Sequence, residues 1–128
     1  MEELLLENDF GFCLGYFVQD IEQFDYNYGI SDYTVIKNVF DVLKSQNIKK
    51  FIFVEELFIE PEFRNNGYGK ELFINFLEQF DDENSPVLLF AGSVETPPEM
   101  DIVSFYEFFG FEVLLDSSSS PLMIKNHF

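Results

Sequence analysis

Residues 51–73 read FIFVEELFIEPEFRNNGYGKELF, and this stretch contains the most informative pattern of the chain. Its first nine residues are mostly apolar, which is typical of a central strand with both faces covered. A proline ends the run, and a loop with two glycines follows. Apolar residues then recur at helical spacing. They are Leu72, Phe73, Phe76, Leu77 and Phe80. The sequence therefore predicts a central strand, a glycine loop and a helix.

The loop between this strand and helix has the features of an anion site. The first turn of a helix has free N–H groups and the positive end of the helix dipole, so a phosphate can bind there. Gly67 and Gly69 allow the backbone to come close, and Arg64 and Lys70 add positive charge. Because salt screens exposed charges beyond about 8 Å, such a site is compatible with an acidic protein. From the residues alone, a surface arginine and a plain glycine turn are the alternative.

Two common phosphate-binding motifs do not fit this loop. A Walker loop needs glycine where Arg64 stands, and serine or threonine where Glu71 stands. A dinucleotide-binding fingerprint needs a third glycine at the position of Leu72. What remains is the pattern Arg-x-x-Gly-x-Gly after a strand that ends in "IEPEF".

The rest of the chain predicts further strands and helices. Two short strands, an irregular segment over 19–31 and a helix precede the quoted stretch, and a strand, a proline loop, a helix and two strands follow it. The first two strands are "ELLLE" and "GFCLGYFV", with a turn at Asn8, Asp9 and Gly11, and the first helix begins at Asp32, has an apolar face of Ile36, Val39, Phe40 and Leu43, and ends near Lys44 and Asn47. After the quoted stretch come the strand "VLLFAGSV", the loop "ETPPEM" and a helix over 101–109 that stops at Gly110. The last two strands are "FEVLL" and "LMIKN". This alternation implies an α/β fold with helices on both faces of a sheet.

Composition bounds the class of protein. A chain of 128 residues predicts one domain, 1–128. With 24 acidic and 7 basic residues, its formal net charge is -17, which repels nucleic acid and anionic membranes and suits a cationic partner. Solubility alone is the other explanation of this charge.

Other features indicate a cytoplasmic protein without a metal. The apolar runs are shorter than the ~20 residues of a membrane span, and no targeting segment is recognised. Cys13 is the one cysteine and His127 the one histidine, which predicts neither a disulfide nor a metal site. We therefore expect no metal, no nucleic acid and no membrane among its ligands.

Two segments together resemble the GNAT superfamily of N-acetyltransferases. "FIEPEFRNNGYGKELF" resembles the strand, acyl-CoA-binding loop and helix of the family, and "IVSFYEFFGFEVL" resembles its second signature, a Phe-Tyr helix followed by a strand. They lie about forty residues apart with a strand between, as in the family, and cover roughly residues 51–115. The compact chain with its "PP" loop is also similar to small phage-encoded acetyltransferases. The resemblance implies a mixed, mostly antiparallel central sheet with helices on both faces.

The resemblance implies acetyl-CoA as co-substrate. Its acetyl group would pass directly to a primary amine, either a small amine or a lysine or N-terminus of a protein. The pantetheine is expected along the end of the strand and the pyrophosphate on the following loop. The implied cofactor-binding residues are Leu57, Phe58, Ile59, Arg64, Asn65, Asn66, Gly67, Tyr68, Gly69 and Lys70. A backbone N–H near Leu57 would polarise the thioester carbonyl.

The resemblance also implies two roles in proton transfer. Tyr106 matches the family's usual donor to the departing thiolate, and a plain core residue is the alternative. The attacking amine needs a carboxylate, and Glu55 and Glu56 are nearest. Adjacent strand residues point to opposite faces, so at most one of the two faces the site unless a bulge intervenes; we prefer Glu56. Solvated charges at a strand edge are the alternative for both.

The chain departs from the family pattern at three places. "TPPEMD" lacks the asparagine that many members have before the Phe-Tyr helix, Phe53 stands where some have glutamate, and the N-terminal half, which shapes the acceptor pocket, is short. A second class of function therefore stays open, a non-catalytic acidic binding or decoy protein on the same fold that engages a basic protein. Either a monomer or a homodimer is compatible with both functions.

Overall fold

A computed structural model describes residues 2–19, 38, 41–64, 66–79, 85–91, 102–115 and 121–125. Its strands are β1 (Glu2–Asn8), β2 (Gly11–Val18), β3 (Phe51–Ile59), β4 (Val87–Phe90), β5 (Glu112–Leu115) and β6 (Leu122–Lys125). Within the described residues they form a six-stranded sheet in the order β1-β2-β3-β4-β6-β5. Only β3 and β4 pair in parallel in this sheet. The prediction of a mixed, mostly antiparallel sheet is confirmed.

Helices cover both faces of this sheet, as predicted. Residues 41–45 form helix α1, Tyr68–Glu78 form α2 and Ile102–Phe108 form α3. Leu43 of α1 packs in one buried cluster with Phe51 and Phe53 of β3. The second cluster contains Ile52, Val54, Leu57, Leu72, Phe73, Phe76, Leu77, Phe105, Tyr106 and Phe109. We call the two sides of the sheet the α1 face and the α2–α3 face.

Two helices end in the left-handed turns that the sequence predicts. After α1, Asn47 has a φ of 58°, and the N–H of Ile48 donates to the carbonyl five residues earlier at 2.9 Å. After α3, Gly110 has a φ of 95°, and the N–H of Phe111 donates to the carbonyl of Tyr106 at 3.2 Å. Both bonds are the 6→1 hydrogen bond of the Schellman motif. The second motif fixes the C-terminal turn of the helix that carries Tyr106.

The central strand β3 contains one extra residue. Its register with β2 shifts between Val54 and Glu56, which leaves Glu55 unpaired in a β-bulge. Before the bulge, Ile52 and Val54 belong to the α2–α3 cluster; after it, Leu57 does. On the α2–α3 face, the side chains of β3 therefore come from even-numbered residues before the bulge and from odd-numbered residues after it.

β3 and β4 separate after a short parallel pairing. The paired residues are Ile52 with Val87, Phe53 with Leu88, and Val54 with Leu89. β3 continues to Ile59 beyond these pairs, and there its described sheet partner is β2. Over residues 55–59, the described part of the chain thus leaves one edge of β3 open.

Some predicted segments differ in their bounds. β4 ends at Phe90, with Ala91 in a turn, and β5 begins at Glu112 rather than at Phe111. Several expectations lie outside the described residues: the segment over 20–31, the helix start at Asp32 with Ile36, Val39 and Phe40, the positions of Asn65 and Phe80, the "ETPPEM" loop and His127. Of the helices that are described, none has the length and hydropathy to cross a membrane.

β2 and β3 approach each other closely at Gly11. A Cβ at Gly11 would overlap the carbonyl oxygen of Phe58, whereas a Cβ at Gly69 would lie 3.6 Å from Cγ1 of Ile59, an ordinary contact.

We predict that Gly11→Ala lowers the free energy of unfolding by about 1–3 kcal/mol, because the two strands must separate to admit the methyl group. The control Gly69→Ala should change it by less than about 1 kcal/mol. Denaturant unfolding measures both variants. Small and equal effects would contradict the close approach.

Candidate active site

The glycine loop, residues 60–67, follows β3 and is held by its own side chains. Nε of Arg64 donates to the carbonyl of Ile59 at 2.8 Å, and the guanidinium carbon lies 5.5 Å from the centroid of the Phe58 ring. Nδ2 of Asn66 donates to the carbonyl oxygens of Phe63 at 3.3 Å and of Arg64 at 3.0 Å. The side chains of Arg64 and Asn66, two predicted cofactor residues, thus fix the loop backbone.

Among the described residues, the space beside Gly67 at the start of α2 is open. Gly67 has a φ of 81°, a conformation that favours glycine, and apart from Gly67 and its chain neighbours no described atom lies within 4 Å of the place where its Cβ would be. Glycine has no side chain to cap the helix, so the first-turn N–H groups of Tyr68, Gly69 and Lys70 receive no side-chain bond from the cap. Uncapped N–H groups at the positive end of a helix are suited to bind a phosphate.

The predicted cofactor residue Lys70 is exposed at the start of α2. Its Nζ lies 4.8 Å from the centroid of the Phe108 ring on α3, in a cation–π contact. Phe108 itself is 68% exposed. Lys70 therefore places a positive charge close to the first turn of α2, on the solvent side of α2 and α3.

Backbone groups of β3 point to its open edge. The N–H of Ile52 donates to the carbonyl of Pro86 at 2.9 Å, so even-numbered residues before the bulge direct their N–H groups towards β4. Because this direction alternates along a strand and the bulge shifts it by one residue, Leu57 and Ile59 direct theirs to the same side. The pairing with β4 has ended there, so an extended polar ligand can pair with this edge.

Tyr106 is fully buried on the α2–α3 face. Ring centroids of Phe105, Phe73 and Phe111 lie 5.2, 5.6 and 5.9 Å from its own. Among the described residues its hydroxyl has no hydrogen-bond partner. Burial raises the pKa of Tyr106, and the nearby Cys13 raises it further. An unpaired buried hydroxyl costs about 1–3 kcal/mol. A ligand acceptor would relieve this cost only after a local movement, because the hydroxyl is closed off in this structure.

Cys13 lies beside this position but does not have the properties of a nucleophile. It pairs with Leu57 in the register of β2 and β3 and is fully buried. Burial raises the pKa of its thiol, so the thiol stays protonated at neutral pH. Because the thiolate is the reactive form, Cys13 does not fit the role of a covalent acyl carrier.

The bulge places Glu55 and Glu56 on the opposite face of the sheet from Tyr106. Glu55 follows Val54 and Glu56 precedes Leu57, and both apolar residues belong to the α2–α3 cluster. Alternation from either side therefore directs both carboxylates to the α1 face. Both are half-buried. The sequence predicts that at most one of the two glutamates faces the site unless a bulge intervenes. A bulge is present, so the two glutamates share a face. The preference for Glu56 over Glu55 stays a prediction.

The structure thus arranges three features around β3. A buried hydroxyl lies on the α2–α3 face, two carboxylates are directed to the α1 face, and one backbone edge of β3 has no sheet partner among the described residues. Such an arrangement can donate a proton on one side of a bound group and accept one on the other. The described residues contain no cluster of His, Cys, Asp and Glu that could hold a metal ion.

Sequence reasoning missed the positions of Cys13 and Phe108. Cys13 reaches the site through the register of β2 with β3, and Phe108 meets Lys70 through the packing of α3 on α2. Both contacts join distant parts of the chain, and no local motif encodes them.

One family model and several solved structures are similar to this chain. The model of the acetyltransferase (GNAT) family matches residues 11–111. The anti-CRISPR protein AcrVA5 is similar in structure, with a TM-score of 0.56 and 13% identity over 97% of this chain and 98% of that one. Mosquito arylalkylamine N-acetyltransferase like 5b has a TM-score of 0.58 and 11% identity, over 91% and 68% of the two chains. SsHAT has a TM-score of 0.52 and 13% identity, over 90% and 65%. No curated protein sequence gave a match.

We predict that the wild type loses stability more steeply above pH 10 than Tyr106→Phe does. An unfolded tyrosine loses its proton near pH 10, whereas burial keeps Tyr106 protonated in the fold, so rising pH favours the unfolded chain by up to about 1.4 kcal/mol per pH unit. Below pH 9 Tyr106 is protonated in both the folded and the unfolded chain, so its contribution to the free energy of unfolding does not vary with pH. Urea unfolding between pH 8 and pH 11 measures it, and the contribution of Cys13 is common to both proteins. Parallel pH profiles would show that Tyr106 is not buried as described.

Proposed function

The chain belongs to the acetyltransferase (GNAT) family, and we propose that it transfers an acetyl group from acetyl-CoA directly to a primary amine. The observation that carries this proposal is the edge of β3 without a described sheet partner, with Tyr106 on one face of the sheet and Glu55 and Glu56 directed to the other. A thioester bound at this edge has a donor for its sulfur on one face and a base for the incoming amine on the other.

The residues present fit the parts of acetyl-CoA, which supplies the acetyl group as an activated thioester. The uncapped N–H groups at the start of α2, with open space before Gly67, suit a diphosphate. The backbone groups of Leu57 and Ile59 at the open edge suit the amides of pantetheine. The hydroxyl of Tyr106 has no partner among the described residues, and a sulfur atom would supply one.

In the proposed reaction each group of the chain has one task. The N–H of Leu57 donates to the thioester carbonyl oxygen, where negative charge develops. Glu56 or Glu55 takes one proton from the acceptor ammonium, and the amine nitrogen bonds to the acetyl carbon. As the carbon–sulfur bond breaks, the nitrogen gives up its second proton, which ends on the sulfur of coenzyme A. Tyr106 is protonated at neutral pH, as an ordinary tyrosine is, so it can stabilise the departing sulfur as a hydrogen-bond donor. The protonated Cys13 takes no part, which favours direct attack.

We propose a cationic acceptor. Two half-buried glutamates lie on the α1 face, Glu60 and Glu62 of the glycine loop are exposed, and the whole chain has a formal net charge of -17. Such a surface attracts ammonium groups and speeds their encounter. The similar structures include an arylalkylamine N-acetyltransferase and an anti-CRISPR protein, so an acceptor screen covers both small amines and basic proteins. Acetylation of any of these acceptors with acetyl-CoA tests the proposal.

The second candidate function is that of a non-catalytic acidic binding protein. The chain has 24 acidic and 7 basic residues, and this acidic excess favours it. Such a protein would bind a basic partner through the same surface without acetylating it. Acetylation in the screen separates the two functions, since the binding protein would show none.

We predict that Gly67→Val abolishes acetyl-CoA binding in calorimetric titration while the chain stays folded. The valine side chain would fill the space proposed for the diphosphate, and the positive φ adds a strain of about 1–2 kcal/mol. Gly110→Val is the control, because Gly110 also has a positive φ, 95°, and a Cβ there would meet the side chain of Lys125 on β6. Equal loss of binding in both variants would assign the effect to strain and contradict the site.

We predict that Tyr106→Phe lowers the turnover number by about 10²- to 10⁴-fold, because the departing sulfur loses its donor. The dissociation constant for acetyl-CoA should change little, since the ring is kept. The melting temperature should stay the same or rise, because the lost hydroxyl is buried without a partner in the described fold. Release of free coenzyme A thiol measures turnover. The same change at Tyr16, whose ring packs against the cluster on the α1 face, is the control. A measurable wild-type rate that is unchanged in Tyr106→Phe would remove Tyr106 from the mechanism.

A further inference from the structure

One aromatic ring at the tip of the β1–β2 hairpin contacts both ends of the glycine loop. The ring of Phe10 stacks on that of Tyr68, with centroids 3.9 Å apart and planes inclined by 6°. It also meets the ring of Phe63 edge-on, at 4.9 Å and 73°. Phe63 ends the 3₁₀ turn at the start of the loop, and Tyr68 is the first residue of α2. Phe10 therefore connects the start of the loop to its end.

The backbone of Phe10 is fixed separately from its ring. Oδ1 of Asn8 accepts hydrogen bonds from the N–H of Phe10 at 2.8 Å and from that of Gly11 at 3.1 Å. The carbonyl of Phe10 accepts the N–H of Glu60 at 2.8 Å, at the end of β3. The absence of a Cβ at Gly11 allows β2 to lie against Phe58 directly beside this point. The ring thus extends from a backbone that is anchored on both sides.

We propose that Phe10 is a positioning residue for acetyl-CoA, acting through Tyr68. This inference rests on the proposed function. The N–H groups at the start of α2 can bind a diphosphate only when the first turn is in place, and the preceding Gly67 does not restrict the backbone. The stacked ring of Phe10 holds Tyr68, and with it this first turn, before the ligand arrives. Preorganisation of this kind strengthens binding because less of the loop has to be ordered.

The test compares Phe10→Leu with wild type in the full chain. Loss of the stacked ring should raise the dissociation constant and the KM for acetyl-CoA by about 2- to 10-fold and leave kcat unchanged. The KM for acetyl-pantetheine, which lacks the diphosphate, should stay at its wild-type value. Phe10→Tyr keeps the ring and should retain wild-type affinity. Phe12→Leu is the matched control, because it removes a ring of the same hairpin, two residues further on in β2, whose centroid lies 5.6 Å from that of Phe58.

A second variant tests whether the stack itself is responsible. Tyr68→Leu removes the other ring of the stack. If the stack is responsible, the double variant Phe10→Leu/Tyr68→Leu should have a dissociation constant for acetyl-CoA no higher than that of the single variant that binds more weakly. Additive losses would overturn the inference. So would an unchanged dissociation constant in Phe10→Leu, an equal loss for acetyl-pantetheine, or an equal loss in Phe12→Leu. A wild type that does not bind acetyl-CoA would overturn the proposed function itself, whereas a binding wild type with an unaffected Phe10→Leu overturns this inference alone.

Discussion

The extra residue in β3 is the constraint on which the candidate site depends. Without the bulge at Glu55, strict alternation from Val54 would direct Glu56 into the α2–α3 cluster and Leu57 out of it. An unpaired carboxylate in an apolar cluster costs several kcal/mol, so two adjacent glutamates followed by Leu57 are compatible with a buried strand only if one residue is added to the register. The same added residue turns the N–H of Leu57 to the open edge. One local irregularity thus sets the positions of the carboxylates and of the backbone donor together.

The glycine loop shows how an acidic chain can hold an anion. Arg64 is tied to the carbonyl of Ile59 and the ring of Phe58, so its contacts hold the end of β3 and the start of the loop together. The positive potential at the loop comes from oriented N–H groups of α2, which need no net positive charge on the protein. Only Gly67 can take the required left-handed conformation cheaply and leave space in front of these groups. The overall charge of -17 then remains available to attract a cationic acceptor.

Much of the fold follows from local sequence, and most of the site geometry does not. Helix ends at Asn47 and Gly110 are encoded by residues that tolerate left-handed turns, and the glycine loop is visible as a motif. The position of β6 between β4 and β5 depends on pairing between distant segments, which periodicity does not encode. For the same reason the contact of Phe10 with Tyr68 could not be predicted, because it joins a hairpin tip to a helix start far along the chain. The bulge is an intermediate case: "VEEL" breaks the alternation visibly, but the register with β2 is needed to locate the added residue.

Amide hydrogen exchange with and without acetyl-CoA can show whether the open edge of β3 and the start of α2 form one binding site. We expect slower exchange on addition of acetyl-CoA at the N–H groups of Leu57 and Ile59 and at residues 67–70. The amides of β5 and β6, at the far side of the sheet, should be unaffected. Protection confined to other parts of the chain, or no protection at saturating acetyl-CoA, would show that these two elements do not form the binding site.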